Sequence, residues 1–116
     1  MRIKSGKTTH KRHKKLIESN KGFRGSKSKL YKVAHEARLH AGQYAFVGRK
    51  NRKRDLRRLW IVRISEAVKP LGLSYSVFIN NLKKTNINLD RKVLADLVVN
   101  NPEAFKLVVD KAKSAS

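Results

Sequence analysis

Residues 49–58, RKNRKRDLRR, carry seven positive side chains against the single carboxylate of Asp55. Guanidinium and ammonium groups at that density are suited to meeting phosphate oxygens through charge-assisted hydrogen bonds. Water and counterions could solvate the segment, but a polyanion accounts for it better. The other acids, Glu18, Glu36, Glu66, Asp90, Asp96, Glu103 and Asp110, are scattered. They offer neither the paired carboxylates nor the histidine and carboxylate that a nuclease needs, so no catalytic constellation is expected. His10 and His13 stand three apart without a neighbouring carboxylate or cysteine, and His35 and His40 lack ligand spacing. Phosphate contact or plain exposure suits them better than a metal, and no metal or other cofactor is expected. Gly6, Lys7 and Thr8 imitate the end of a phosphate-binding loop, but Met1 stands where its first glycine should be and no strand precedes it.

These cations need an element to present them. Along one helical face, Arg49, Lys53, Leu56, Trp60, Ile64 and Ala67 run from charged to apolar. A helix of that kind must leave a protein core partway along its length, because no single surroundings suit both Lys53 and Trp60. The rest of the circumference is no softer, since Lys50, Arg52, Arg54, Arg57 and Arg58 spread over most of it.

Composition divides the chain at the same place. The 116 residues carry a formal net charge of +21, and self-repulsion on that scale implies a partner of opposite sign. Residues 1–59 hold 20 basic and 3 acidic side chains, while 60–116 hold 9 and 5. Large apolar side chains run the other way, 14 against 23. Two regions follow: a basic extension at 1–59 comprising a tail, a short helix and the first part of a long helix, and a globular helical domain at 60–116. The basic half lacks the burial to offset its ordering entropy, so residues 1 to about 28 are expected to be disordered without a partner while 60–116 stays folded. Cysteine is absent, which excludes disulfides and thiolate metal sites. No apolar run approaches the roughly 20 residues of a membrane span, and the charged N-terminus lacks the apolar stretch of a secretory signal, so the protein is expected to stay in the compartment where it is made.

Residues 1–8 read as an extended tail. Thr9 is a candidate cap for a helix over 11–21 that ends at Gly22, with only Leu16 and Ile17 as large apolar groups and nothing in the chain to pack against. In GFRGSKS, Phe23 suits a base-stacking group and a half-buried connector residue equally well. Ser26 or Ser28 then caps a long helix over 29–69, interrupted if anywhere at Gly42 or Gly48. Ala34, Ala37, Ala41 and Ala45 form a seam of small residues on it, permitting close approach to RNA or another helix. Tyr31, Tyr44 and Phe46 are candidate stacking groups.

Pro70 and Gly72 end the long helix. Ser74 starts another, with Tyr75, Phe78, Ile79 and Leu82 on one stripe. Asn88 caps a third, with Leu89, Val93, Leu94, Leu97 and Val98. Asn101 followed by Pro102 starts the last, with Phe105, Val108, Val109 and Ala112. No segment alternates at period two, which predicts an all-α protein. The predicted core is Trp60, Ile64, Phe78, Ile79, Leu82, Leu94, Leu97, Phe105 and Val108.

The motifs AGQYAF at 41–46, RKRDLRRLWIVRI at 52–64, SYSVFINNLKK at 74–84 and DRKVLAD at 90–96 occur in order and without gaps, and HKKLIE followed by KGFRG precedes them. In these the chain resembles the bacterial-type large-subunit ribosomal protein L20 family over nearly its whole length. It departs at Ser65, where the family usually has Asn, and near Val47 and Gly48, where charges are usual, and fewer RNA contacts are expected at those positions; its N-terminus is also less arginine-rich than is common.

The resemblance implies a structural constituent of the large ribosomal subunit with no catalytic role. It implies direct binding of 23S-type ribosomal RNA, support of early subunit assembly, neighbouring large-subunit proteins as partners and a place in the cytoplasmic ribosome, with an organellar ribosome as the alternative. It also implies translational repression through the protein's own messenger RNA, largely by the C-terminal domain. Expected RNA contacts in the tail and first helix are Arg2, Lys4, Lys7, Lys11, Arg12, His13, Lys14, Lys15 and Lys21. Phe23, Arg24, Lys27 and Lys29 follow in the connection. The long helix adds Tyr31, Lys32, Arg38, Gln43, Tyr44, Arg49, Lys50, Arg52, Lys53, Arg54, Arg57 and Arg58. A DNA-packaging protein would share the basic charge but needs no such motif set. A membrane-active helix would need a wide apolar face, which 49–58 lacks.

Overall fold

The computed structural model describes residues 6–114. They form five α-helices and, among the described residues, no strand: α1 (Lys7–Ser19), α2 (Tyr31–Val68), α3 (Tyr75–Lys84), α4 (Arg91–Asn100) and α5 (Pro102–Lys113). The chain divides into two compact units, Met1–Lys50 and Asn51–Ser116.

The second unit holds a core of Ile64, Val68, Phe78, Leu82, Leu94, Ala95, Phe105, Val109 and Ala112. Helix α5 packs against both α3 and α4. The Phe78 and Phe105 rings meet at 5.8 Å between centroids and 59° between planes, a tilted contact that suits their quadrupoles. Trp60, Ile79, Leu97 and Val108, predicted for the core, pack half-buried against it. The face that runs out of the charged segment behaves as its residues require: Lys53 is exposed, Leu56 is 40% exposed, Trp60 is half-buried and Ile64 is fully buried.

Local chemistry sets the helix boundaries. Ser74 Oγ accepts from the Val77 amide at 3.4 Å and Asn101 Oδ1 from the Ala104 amide at 3.2 Å, as the spacing predicts. Gly72 takes a left-handed φ of 81°, so that its own amide reaches the Lys69 carbonyl and the Leu73 amide reaches that of Val68. Asn86 closes α3 in the same way at φ 55°, with the Ile87 amide on the Leu82 carbonyl. The cap of α4 differs from expectation. Asp90, not Asn88, accepts from the Val93 amide, at 2.8 Å, so the helix begins later; Leu89 and Val93 are 37% and 43% exposed while Ala95 is buried. Asn81 is also buried, and its Nδ2 has no hydrogen-bond partner among the described residues.

The first unit departs further from the expected course. Helix α1 starts after Gly6 with no side-chain cap, so Lys7 and Thr8 are helical and Thr9 is inside the helix. Ser26 and Ser28 belong to a 3-10 turn, Gly25–Ser28, and it is the Ser26 carbonyl that receives the Lys29 and Leu30 amides at 3.0 and 2.9 Å. Helix α2 then runs through Gly42 and Gly48 without interruption. Helix α1 also has a packing partner within the chain. Asn20 is fully buried, and its Nδ2 donates to the Ala34 carbonyl at 2.7 Å and to that of Lys27 at 3.1 Å. Ala34, from the small-residue seam, is itself fully buried.

Phe78→Ala is expected to lower the unfolding free energy by about 3–5 kcal/mol, and Trp60→Ala by less, roughly 2–3 kcal/mol, because part of the indole already meets water. Urea titrations of both variants followed by circular dichroism measure this. Equal losses would mean that Trp60 is buried as deeply as Phe78.

Candidate nucleic-acid interface

Every residue from 42 to 59 is exposed, so this part of α2 presents its whole circumference. Arg and Lys are good helix formers, which lets the segment stay helical without burying a face. Within 49–58, the one ion pair among the described residues joins Arg58 to Asp55 at 3.8 Å, with both side chains at least 70% exposed, a geometry worth little in water. Lys50 Nζ lies 5.4 Å from the centre of the Phe46 ring, an exposed cation–π contact. Arg49, Arg52, Lys53, Arg54 and Arg57 have no acidic partner among the described residues. Gln43 and Tyr44 are exposed beside them, Tyr44 at 72%.

The first unit adds a second set of cations. Lys7, Lys11, Arg12, Lys14, Lys15 and Lys21 are exposed on or just after α1, Arg24, Lys27 and Lys29 in the connection, and Lys32 and Arg38 on α2. Three predicted contact residues are half-buried. The His13 ring stacks on Tyr31 at 3.7 Å, covering one face of the tyrosine, and His35 approaches Tyr31 at 5.8 Å. Phe23 lines a groove with Lys27, Val33, Glu36, Ala37, His40, Ala41 and Tyr44. Arg2 and Lys4 lie outside the described residues.

The sequence pattern did not single out Asn20, which ties the connection to α2, or Arg63 and Lys92, which share a groove with Trp60, Asp90, Val93, Ala95 and Asp96 in the second unit. Arg63 could have been found, since it stands one helical turn beyond Trp60. Asn20 could not, because its value depends on a carbonyl fourteen residues away. No three His, Asp or Glu side chains converge among the described residues as a metal would need, and no helix there is long and apolar enough to cross a membrane.

Fold and surface together define a helical, strongly basic protein with an exposed cationic helix. Its sequence matches the family described as "Ribosomal protein L20" over residues 2–108. It is 53% identical over 114 residues to "Large ribosomal subunit protein bL20" of Mesoplasma florum, covering 98% of this chain and 95% of that protein. The proteins of the same name from Mycoplasma capricolum subsp. capricolum and Roseiflexus sp. are each 54% identical over 98% of this chain and 96% and 97% of their own lengths. The chain belongs to the ribosomal protein L20 family, and with it is a structural constituent of the ribosome and not an enzyme.

Asn20→Ala is expected to remove two hydrogen bonds of about 1 kcal/mol each and to open a cavity beneath the connection. Hydrogen exchange should therefore quicken across residues 7–36 and stay unchanged in α3, α4 and α5. Unchanged protection in the first unit would show that Asn20 does not hold it.

Proposed function

We propose that this chain is a constituent of the large subunit of the cytoplasmic ribosome that binds 23S-type ribosomal RNA directly and supports early subunit assembly beside neighbouring large-subunit proteins. The observation that carries this reading is the fully exposed helix over 42–59, with seven cations in 49–58 and a single weak ion pair among them. On a chain of net charge +21, such a surface is complementary to phosphates held at fixed spacing. The test is sedimentation of the protein with large ribosomal subunits in high salt. Release into the supernatant under conditions that retain other subunit proteins would count against it.

The labour is divided between residues 1–59, which supply charge, and residues 60–116, which supply shape recognition. Phosphate contacts position a protein without reading sequence. Replacing Arg52, Arg54 and Arg57 with Ala should thus weaken binding to specific and unspecific RNA alike and lower the slope of log affinity against log salt by about 0.7–0.9 for each phosphate no longer neutralised. An unchanged slope would mean that these guanidinium groups do not meet phosphates.

Repression of the protein's own messenger is the finer part of the reading, and the family supports it rather than the surface, since the groove beside half-buried Trp60 balances Arg63 and Lys92 against Asp90 and Asp96. Ribosomal RNA, the leader of that messenger and an unrelated folded RNA, competed at equal salt for the full chain and for residues 1–59, test both points. The full chain should prefer the first two RNAs and the fragment should bind all three alike. A fragment with undiminished preference would place recognition in the extension.

A further inference from the structure

Helix α2 turns one continuous face, Val33, Glu36, Ala37, His40, Ala41 and Tyr44, toward Phe23 and Lys27 of the connection, and the space between them is a groove of about 470 Å³. Its floor is made of alanines, which let a flat ligand approach the helix closely. Phe23 and the 72% exposed Tyr44 offer aromatic faces, and Lys27 is the cation on the wall. The groove is held open from below. Buried Asn20 donates to the carbonyl of Lys27, which lines the groove, and to that of Ala34 on α2, tying the connection to the helix before any ligand arrives. A carboxylate also belongs to the groove. Glu36 is exposed, has no ion pair among the described residues, and is one of only three acids in the first 59 residues.

An acid on a surface that collects phosphates weakens attraction to the backbone, so its presence in an aromatic groove calls for a donor. We propose that this groove is a nucleobase subsite, which takes an unstacked guanine with its ring against Phe23 or Tyr44, its N1–H and N2–H donating to the two Glu36 oxygens, and the adjoining phosphate on Lys27. This rests on the RNA-binding reading above and adds one base contact in the extension, which any RNA with an unstacked guanine satisfies, so the extension still does not tell ribosomal RNA from another folded RNA. Splayed single-stranded bases are recognised by aromatic stacking together with hydrogen bonds to their Watson–Crick edge. Among the four bases, guanine alone presents two parallel donors on that edge, the arrangement a carboxylate accepts bidentately. Uracil offers a single N3–H flanked by two carbonyl oxygens, which repel the second carboxylate oxygen. Adenine and cytosine offer one exocyclic amine each.

The experiment uses the full chain and three fluorescent heptaribonucleotides of uridine whose central residue is guanosine, inosine or adenosine, titrated at equal salt. Inosine keeps N1–H and lacks the N2 amine. Guanosine should bind on the order of five- to tenfold more tightly than adenosine, with inosine between, the low end of what a bidentate base contact discriminates. Glu36→Gln should abolish that preference, raising affinity for the adenosine oligomer because a negative charge has gone while guanosine loses its two hydrogen bonds and falls level with it. Electrostatics alone predicts the rise without any change in ratio. Phe23→Ala should weaken guanosine binding several-fold. Equal binding of the three oligomers by the unaltered chain, or an unchanged guanosine-to-adenosine ratio in Glu36→Gln, would overturn the subsite and leave RNA binding standing. Failure of every oligomer to bind would overturn both.

Discussion

Like charges on neighbouring turns of one helix are the constraint to which the rest of the molecule answers. Within 49–58, Arg49 with Lys53, Lys50 with Arg54, Lys53 with Arg57 and Arg54 with Arg58 stand four apart, and three further basic pairs stand three apart. At a few tenths of a kcal/mol each, seven such pairs destabilise the helix by on the order of 2–3 kcal/mol. Asp55 offsets little of this from an exposed 3.8 Å contact with Arg58. What compensates lies further along: Ile64 and Val68 are fully buried in the second unit, and in the first unit Ala34 is fully buried and its carbonyl is bonded to Asn20. The repulsion changes sign once phosphates stand among the cations, so the arrangement that weakens the isolated helix strengthens its complex.

That constraint explains why charge and apolar content separate along the chain. A cation-rich helix cannot be covered by other parts of the same protein without leaving charges in low dielectric. The apolar residues are therefore concentrated beyond Trp60, where three short helices can close over one another.

The two kinds of information were unequally legible in the sequence. Elements whose signals are local and redundant read correctly: Pro70 with Gly72, the Ser74 cap, and Asn101 before Pro102 each depend on groups within four residues. The start of α4 did not, because Asn88 and Asp90 are both chemically able to cap and only the geometry after the left-handed Asn86 chooses between them. The start of α1 did not, because a run of lysines has no apolar period and Gly6 provides no side-chain cap. At the candidate site, exposure of the basic residues was foreseeable, since unpaired cations are rarely buried. The roles of Asn20 and Glu36 were not. One is buried by contacts distant in sequence, and the other acquires a meaning only from the aromatic side chains that fold brings beside it.

The amide of Asn81 has a thermodynamic consequence. Its Nδ2 is stripped of water inside the second unit and finds no acceptor among the described residues, a loss of about 1–3 kcal/mol. In a unit of this size that is a sizeable share of the whole margin between folded and unfolded chains. Folded population then becomes a matter of mass action: a partner that binds only the native form restores the margin in proportion to the logarithm of its concentration over its dissociation constant. A fold with so orphaned a donor is one whose stability a partner that binds only the native form raises most visibly.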